Sequence, residues 1–218
     1  MKTVAESFSW PFRGDWKSRW LPGIFAVLLL PIAFIPLLGY AIAATRAAER
    51  DATIGPPEWA FSGRLLSDGF WTSVAVVLLT APFVLLLNPF AAFLFNAHMW
   101  HVTDVPLSQL YAHVVAAFVL ALPWGFLLLV HMPHATARFA HTGRARDLFD
   151  LPASIRDVRR DFPTWNVAAA AIVTGWAVGL ACVGLLCVGL VPGVFYAILV
   201  SAHASAALDD KGANSPAR

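Results

Sequence analysis

The chain has 218 residues, 59% apolar and 13% charged, with a formal net charge of +2. Charge at roughly half the level of soluble domains excludes a disordered chain and argues against a soluble enzyme. The small net charge gives no whole-chain attraction to nucleic acid. Mean hydropathy is +0.68, and the apolar residues fall in long blocks, as in bilayer-spanning helices.

Residues 1–20 read as an interfacial segment. Phe8, Trp10, Phe12, Trp16 and Trp20 alternate with Arg13, Lys17 and Arg19, a mixture suited to the headgroup region. No small-residue cleavage site follows a short apolar core, so a cleavable signal is not expected. The block 21–44 is interrupted by Pro31 and Pro36. It is either one kinked crossing, a fifth transmembrane helix, or two half-helices forming a re-entrant hairpin. Residues 57–70 read as a short amphipathic helix started by Pro57, with Trp59, Phe61, Leu65 and Leu66 apolar.

Four blocks are long enough to cross: 70–95, 107–132, 165–186 and 190–208. Pro82, Pro89 and Pro123 lie inside them, where membrane helices tolerate kinks. Between the second and third of these blocks, 107–132 and 165–186, lies an amphipathic helix over 142–163. Its stripe is Leu148, Leu151, Ile155, Val158 and Phe162, with Asp150 or Leu151 at its cap and Pro152 in its first turn. Such a helix beside a span lies in the membrane interface. Residues 1–208 therefore form one helical membrane domain, and 209–218 a disordered tail.

Lys and Arg fall in groups of four, three, six and two: the N-terminal segment, the first loop, the connection 133–164 and the tail. The connection 96–106 has none. With a re-entrant first block, all fifteen lie on one side, which the positive-inside rule makes cytoplasmic. A weak internal repeat accompanies this pattern. Pro36, Tyr40, Ala41 and Ile42 recur as Pro192, Tyr196, Ala197 and Ile198, and Ala43, Arg46 and Ala48 as Ala135, Arg138 and Ala140.

Few residues offer chemistry. His98-Met99-Trp100-His101 and His131-Met132-Pro133-His134 could each hold a metal. The intervening span separates them by about 30 Å, so they cannot share one site. His98, His101, Asp104 and His113 are the weak metal candidates. Cys182 and Cys187, five apart, share no helix face and form no redox pattern. The spans carry no Asp, Glu, Lys or Arg, which weighs against ion-coupled transport. No nucleophile elbow, phosphate loop or zincin helix occurs, so an enzyme and a cofactor are not expected. Ala171, Gly175 and Gly179 form a small-residue face for helix packing, inside the bundle or at a dimer seam. Arg156, Arg159 and Arg160 on the amphipathic helix, with Arg138 at the end of the preceding span, are the candidate ligands for anionic lipid headgroups.

The ordered set Ser9-Trp10-Pro11-Phe12-Arg13, Asp15-Trp16, Leu38-Gly39-Tyr40, Pro57-Glu58-Trp59, Asp68-Gly69, Ala137-Arg138-Phe139-Ala140, Thr142-Gly143-Arg144 and Val200-Ser201-Ala202-His203 covers most of the chain. It resembles the prokaryotic membrane family called domain of unknown function 4013. The resemblance implies a multi-pass protein of the cell (inner) membrane and carries no activity with it.

The expected fold is thus an all-α integral membrane protein: four transmembrane helices, an N-terminal re-entrant hairpin or fifth helix, and cytoplasmic interfacial helices. The leading function is non-enzymatic binding of lipid, or organisation of a protein partner or second copy, without nucleic acid. A transporter or channel for a small or lipidic solute is the alternative. Elemental analysis of the purified protein is expected to find no stoichiometric zinc or copper. About one equivalent, lost in a His98→Ala/His101→Ala variant, would reverse that reading.

Overall fold

The computed structural model describes residues 2–99, 107–182 and 189–209; of these, the side chains of 2–4, 86–87, 89–99, 107–110, 113–114, 117–118, 120 and 209 are not described. The helices are α1 (Lys2–Ser9), α2 (Trp16–Leu28), α3 (Leu30–Arg50), α4 (Gly63–Met99), α5 (Leu107–Thr142), α6 (Leu151–Arg160), α7 (Phe162–Ala181) and α8 (Leu190–Asp209). Short 3-10 turns cover Trp10–Phe12 and Ala145–Leu148. Among the described residues there is no strand. Among the described residues, four helices are long and apolar enough to cross a membrane: Leu30–Arg50, Gly63–Leu85, Phe162–Ala181 and Leu190–Leu208. Three of these overlap the blocks at 70–95, 165–186 and 190–208, and the fourth comes from the proline-interrupted first block. The block 107–132 lies within α5.

The chain groups into two compact bodies, one of Met1–Val74 with Val130–Arg218 and one of Ala75–Leu129. The second holds the later part of α4 and the earlier part of α5. Pro82, Pro89 and Pro123 sit inside continuous helix there. Val84, Leu85, Val119 and Leu122 are all more than half exposed, the condition of side chains that face lipid rather than protein. The tail 210–218 falls outside the described residues.

In the first body, the break in the first apolar block comes at Leu29, ahead of Pro31. Leu29 N–H still donates to Phe25 O at 2.9 Å, closing α2. α3 then starts afresh with Pro31 in its first turn, where a missing N–H leaves no helical bond unmade. The chain reverses here, because the far ends of the two helices meet. Arg13 Nη1 donates to Ala52 O at 2.8 Å, and Trp59 Nε1 donates to Arg19 O at 3.0 Å. The 13 residues of α2 rise about 20 Å, less than a bilayer core; the 21 residues of α3 rise about 31 Å.

The remaining seams are backbone against backbone. A Cβ added at Gly39 of α3 would collide with the carbonyl oxygen of Leu65, and one at Gly69 of α4 with that of Ile35. Gly179 of α7 and Gly193 of α8 face each other's carbonyls in the same way, and a Cβ at Gly175 would lie 2.8 Å from Val200 Cγ1. Small residues let membrane helices approach until van der Waals contact is continuous. Gly175 and Gly179 thus face α8 within the molecule, and Ala171, one turn earlier, is buried.

The aromatic N-terminal segment is buried only in part, with Phe12 47% exposed. Trp10 is fully buried, 5.2 Å from the His203 ring of α8. Ser7 Oγ is 2.9 Å from His203 Nδ1. Trp20 meets Phe195 edge-on at 5.7 Å and donates from Nε1 to Pro11 O at 2.9 Å. Tyr40 stacks on Trp59 with centroids 4.0 Å apart and 3° between planes. α8 supplies the partners, from a region of sequence that local pattern cannot connect to the N-terminus.

Replacing Gly39 or Gly69 by Val should lower stability in detergent by about 1–3 kcal/mol or abolish folding. Gly63→Ala, where nothing lies within 4 Å, should leave melting within about 1 kcal/mol of the parent. Equal melting of all three variants would show that α3 and α4 do not meet at these glycines.

Candidate functional site: two arginine-lined clefts

Both clefts belong to the first body, where helices end and loops begin. The larger, about 730 Å³, is lined by Arg138, Arg144, Arg146, Asp147, Phe149 and Asp150 among others. Its chain differs from the single helix expected over 142–163. α5 stops at Thr142 because Gly143 turns left-handed at φ 69°. The apolar stripe then divides: Leu148 is buried on the 3-10 turn, and the helix proper is only α6. Asp150 caps α6 by accepting from Ala153 N at 2.9 Å, with Pro152 in the first turn. Asp161 caps α7 through Thr164 N, with Pro163 behind it. These two cap-and-proline pairs end and restart the helix despite an unbroken stripe of apolar residues.

Arg138 holds this surface to α5. Its Nη1 donates to Asp157 Oδ2 at 2.6 Å. Its Nη2 donates to Ser154 Oγ at 3.0 Å and to the carbonyls of Asp150 at 3.1 Å and Asp147 at 3.4 Å. Buried Ser154 also lies 3.0 Å from His131 Nδ1, and His131 Nε2 lies 2.9 Å from Leu148 O. A carbonyl only accepts, so Nε2 carries the proton, and in the neutral ring Nδ1 accepts from the serine hydroxyl. Asp147 accepts from Thr142 Oγ1 at 2.5 Å and from Arg144 Nε at 3.4 Å.

The smaller cleft, about 270 Å³, is lined by Arg46, Arg50, Arg64, Glu58 and Asp68 among others. Residues 51–62 contain no helix, contrary to the expected start at Pro57. Tyr40 Oη takes the Pro57 carbonyl at 2.8 Å, and Ser62 Oγ accepts from Leu65 N at 3.2 Å to cap α4. Hydrogen bonds from Thr53 hold the Asp51 carboxyl below its ordinary range in this loop. Arg46 donates from Nη2 to Asp68 Oδ2 at 3.0 Å and from Nε to Ala140 O at 2.9 Å. Arg64 Nε stands 3.9 Å from the same Asp68 oxygen.

Of the arginines picked from sequence, Arg138 turns inward to protein acceptors. Arg156, Arg159 and Arg160 are exposed on α6, and among the described residues they make no ion pair. Asp157, three residues before Arg160, is taken by Arg138 instead. Asp68 and Arg46 were not singled out as a pair, because the expected span began at residue 70. The recurrence of Arg46 as Arg138 in the repeat frame was the available signal. His101 and Asp104, and the side chains of His98 and His113, fall outside the described residues, as does Cys187. Among the described residues no group of three His, Cys, Asp or Glu could hold a metal.

The chain belongs to the family described as "Protein of unknown function (DUF4013)", whose model matches residues 23–200. No curated protein and no solved structure matches it.

Arg138→Ala should cost about 1–3 kcal/mol, since it removes a charged donor from partly buried acceptors. It should also expose 143–161 to limited proteolysis. Asp157→Asn should cost less, because Arg138 keeps Ser154 and two carbonyls. Thermal unfolding in detergent checks both, and equal effects of the two variants would contradict the assignment of several acceptors to one guanidinium.

Proposed function

We propose that this member of the DUF4013 family is a non-enzymatic membrane protein whose arginine-rich end binds anionic lipid headgroups and so organises lipid or a partner around it. The observation that carries this reading is the exposure of Arg156, Arg159 and Arg160 with Asp157 diverted to Arg138. Asp150 is engaged as a helix cap, and Asp147 by Thr142 and Arg144. Asp157 and Asp147 therefore oppose Arg138 and Arg144 rather than the three exposed arginines of α6. Near an anionic leaflet each free basic residue contributes about 1 kcal/mol, less in salt.

In this reading α2 and α3 form a re-entrant hairpin, supported by the meeting of their outer ends. Both termini, residues 51–62 and residues 143–161 then share the cytoplasmic side of a prokaryotic cell membrane, and 96–106 lies outside. With that hairpin all fifteen Lys and Arg fall on the cytoplasmic side, in keeping with the positive-inside rule. A second reading, a transporter or channel for a small or lipidic solute, draws on the Arg46–Asp68 pair. Its side chains are only 13% and 10% exposed between two span-length helices, and intramembrane ion pairs can mark solute pathways.

Native mass spectrometry of the full chain with acyl-matched anionic and zwitterionic lipids tests the headgroup reading. The anionic lipid should bind more tightly, and an Arg156→Gln/Arg159→Gln/Arg160→Gln variant should lose roughly tenfold of that preference. Equal retention of both lipids by the parent protein would overturn it. Single cysteines in a cysteine-free background test the threading. Labelling of residue 5 from outside the cell would reject the hairpin.

A further inference from the structure

The smaller cleft carries more charge chemistry than a plain basic patch. Arg46 and Asp68 neutralise each other at its floor, and Arg46 is further fixed by the Ala140 carbonyl. The remaining charged groups on its walls are Arg50 in the last turn of α3, Arg64 in the first turn of α4, and Glu58 in the loop between them. Arg64 is 63% exposed and 3.9 Å from the nearest carboxylate oxygen, a loose contact. Arg50 and Glu58 are exposed and make no ion pair among the described residues.

Two guanidiniums and one carboxylate around 270 Å³ select against simple ions. A purely anionic group is attracted by Arg50 and Arg64 and repelled by Glu58. A purely cationic group meets the reverse. A zwitterion with a phosphodiester and an ammonium two carbons away can satisfy all three at once, each by charge-assisted hydrogen bonds. An ammonium that carries N–H donors is favoured over a quaternary one, because an ionised carboxylate only accepts hydrogen bonds. Quaternary ammonium is held by aromatic cages, and none of the residues lining this cleft is aromatic.

We infer that this cleft binds a phosphoethanolamine group, with Arg50 and Arg64 on the phosphate and Glu58 on the ammonium. The inference deepens the headgroup reading above, on residues separate from α6. A lipid is the source assigned here. Leu66 and Phe70, one turn apart on α4, are 46% and 49% exposed, and Phe61 beside the lining residues Ala60 and Ser62 is 75% exposed. These give an acyl chain an apolar course leading from the rim.

The test uses the full-length protein in detergent, with native mass spectrometry of acyl-matched phosphatidylethanolamine, phosphatidylglycerol and phosphatidylcholine. Water-soluble glycerophosphoethanolamine serves as competitor. Phosphatidylethanolamine should bind about tenfold more tightly than phosphatidylcholine, the worth of one charged hydrogen bond. Glu58→Gln should remove that difference and Glu58→Asp should keep part of it. Arg50→Gln/Arg64→Gln should weaken both lipids, and the triple α6 variant should leave the ethanolamine preference intact. Phosphatidylethanolamine bound no better than phosphatidylcholine, or a preference unchanged in Glu58→Gln, would overturn the inference while leaving the α6 reading standing. Loss of the anionic preference with the ethanolamine preference kept would do the opposite. Competition by glycerophosphoethanolamine at concentrations equal to the lipid would reject the lipid as source and assign the cleft to a free phosphoethanolamine compound.

Discussion

The charge of Arg138 is the fixed point of the first body's basic end. A guanidinium offers five donors in a rigid fork. Here the fork reaches Asp157 and Ser154 on α6 and carbonyls just before it. Partial burial makes such a charge costly without acceptors and makes the acceptors costly without the charge. The amphipathic helix is therefore not merely adsorbed beside the bundle but bound to α5 through Arg138 and, at Ser154, through His131 as well. Arg46 does the corresponding work for α3, reaching α4 at Asp68 and α5 at Ala140. The two residues are equivalent in the repeat frame. Tyr40 and Tyr196, which match in another frame, both donate from the hydroxyl to a backbone carbonyl, that of Pro57 in the loop or of Phe8 near the end of α1.

Between these polar ties the helices are held by close approach. Apolar surface gains nothing by leaving lipid for protein, so association needs shape and hydrogen bonds. The seams at Gly39 and Gly69, and at Gly179 and Gly193, supply shape. The aromatic cluster supplies dispersion over large faces, with Trp20, Tyr40 and Trp59 each finding an acceptor for its polar atom. α8 is central to this arrangement: its Phe195 meets rings from α2, α3 and the loop after α3.

The sequence made the helical class, the family and three of the span-length helices plain, because uninterrupted apolar length is a local property. The cap at Asp150 was equally local. The division of 142–163 was missed because periodicity carried across Asp161 and Pro163, whose capping signal is only a few residues wide. Pro57 suggested a helix start, yet the loop keeps its irregular course through Tyr40 and Arg19, neither of them nearby in sequence. The burial of Trp10 depends on His203, and the inward turn of Arg138 on Ser154 and Asp157. Such pairings have no period and no motif. They are decided by which partner a charged or aromatic group meets after the helices have assembled.

Residues 51–62 illustrate what this costs in freedom of sequence length. Irregular loops ordinarily accept insertions because their backbone is solvated and their ends alone are fixed. This one is attached along its course: at Ala52 by Arg13, at Pro57 by Tyr40 and at Trp59 by Arg19, before Ser62 starts α4. Each attachment comes from a different turn of α2, α3 or the segment before them. One added residue between any two anchors would displace a carbonyl or an indole from a fixed donor or acceptor. The loop thus has a register, as a strand in a sheet does, although it contains no regular structure.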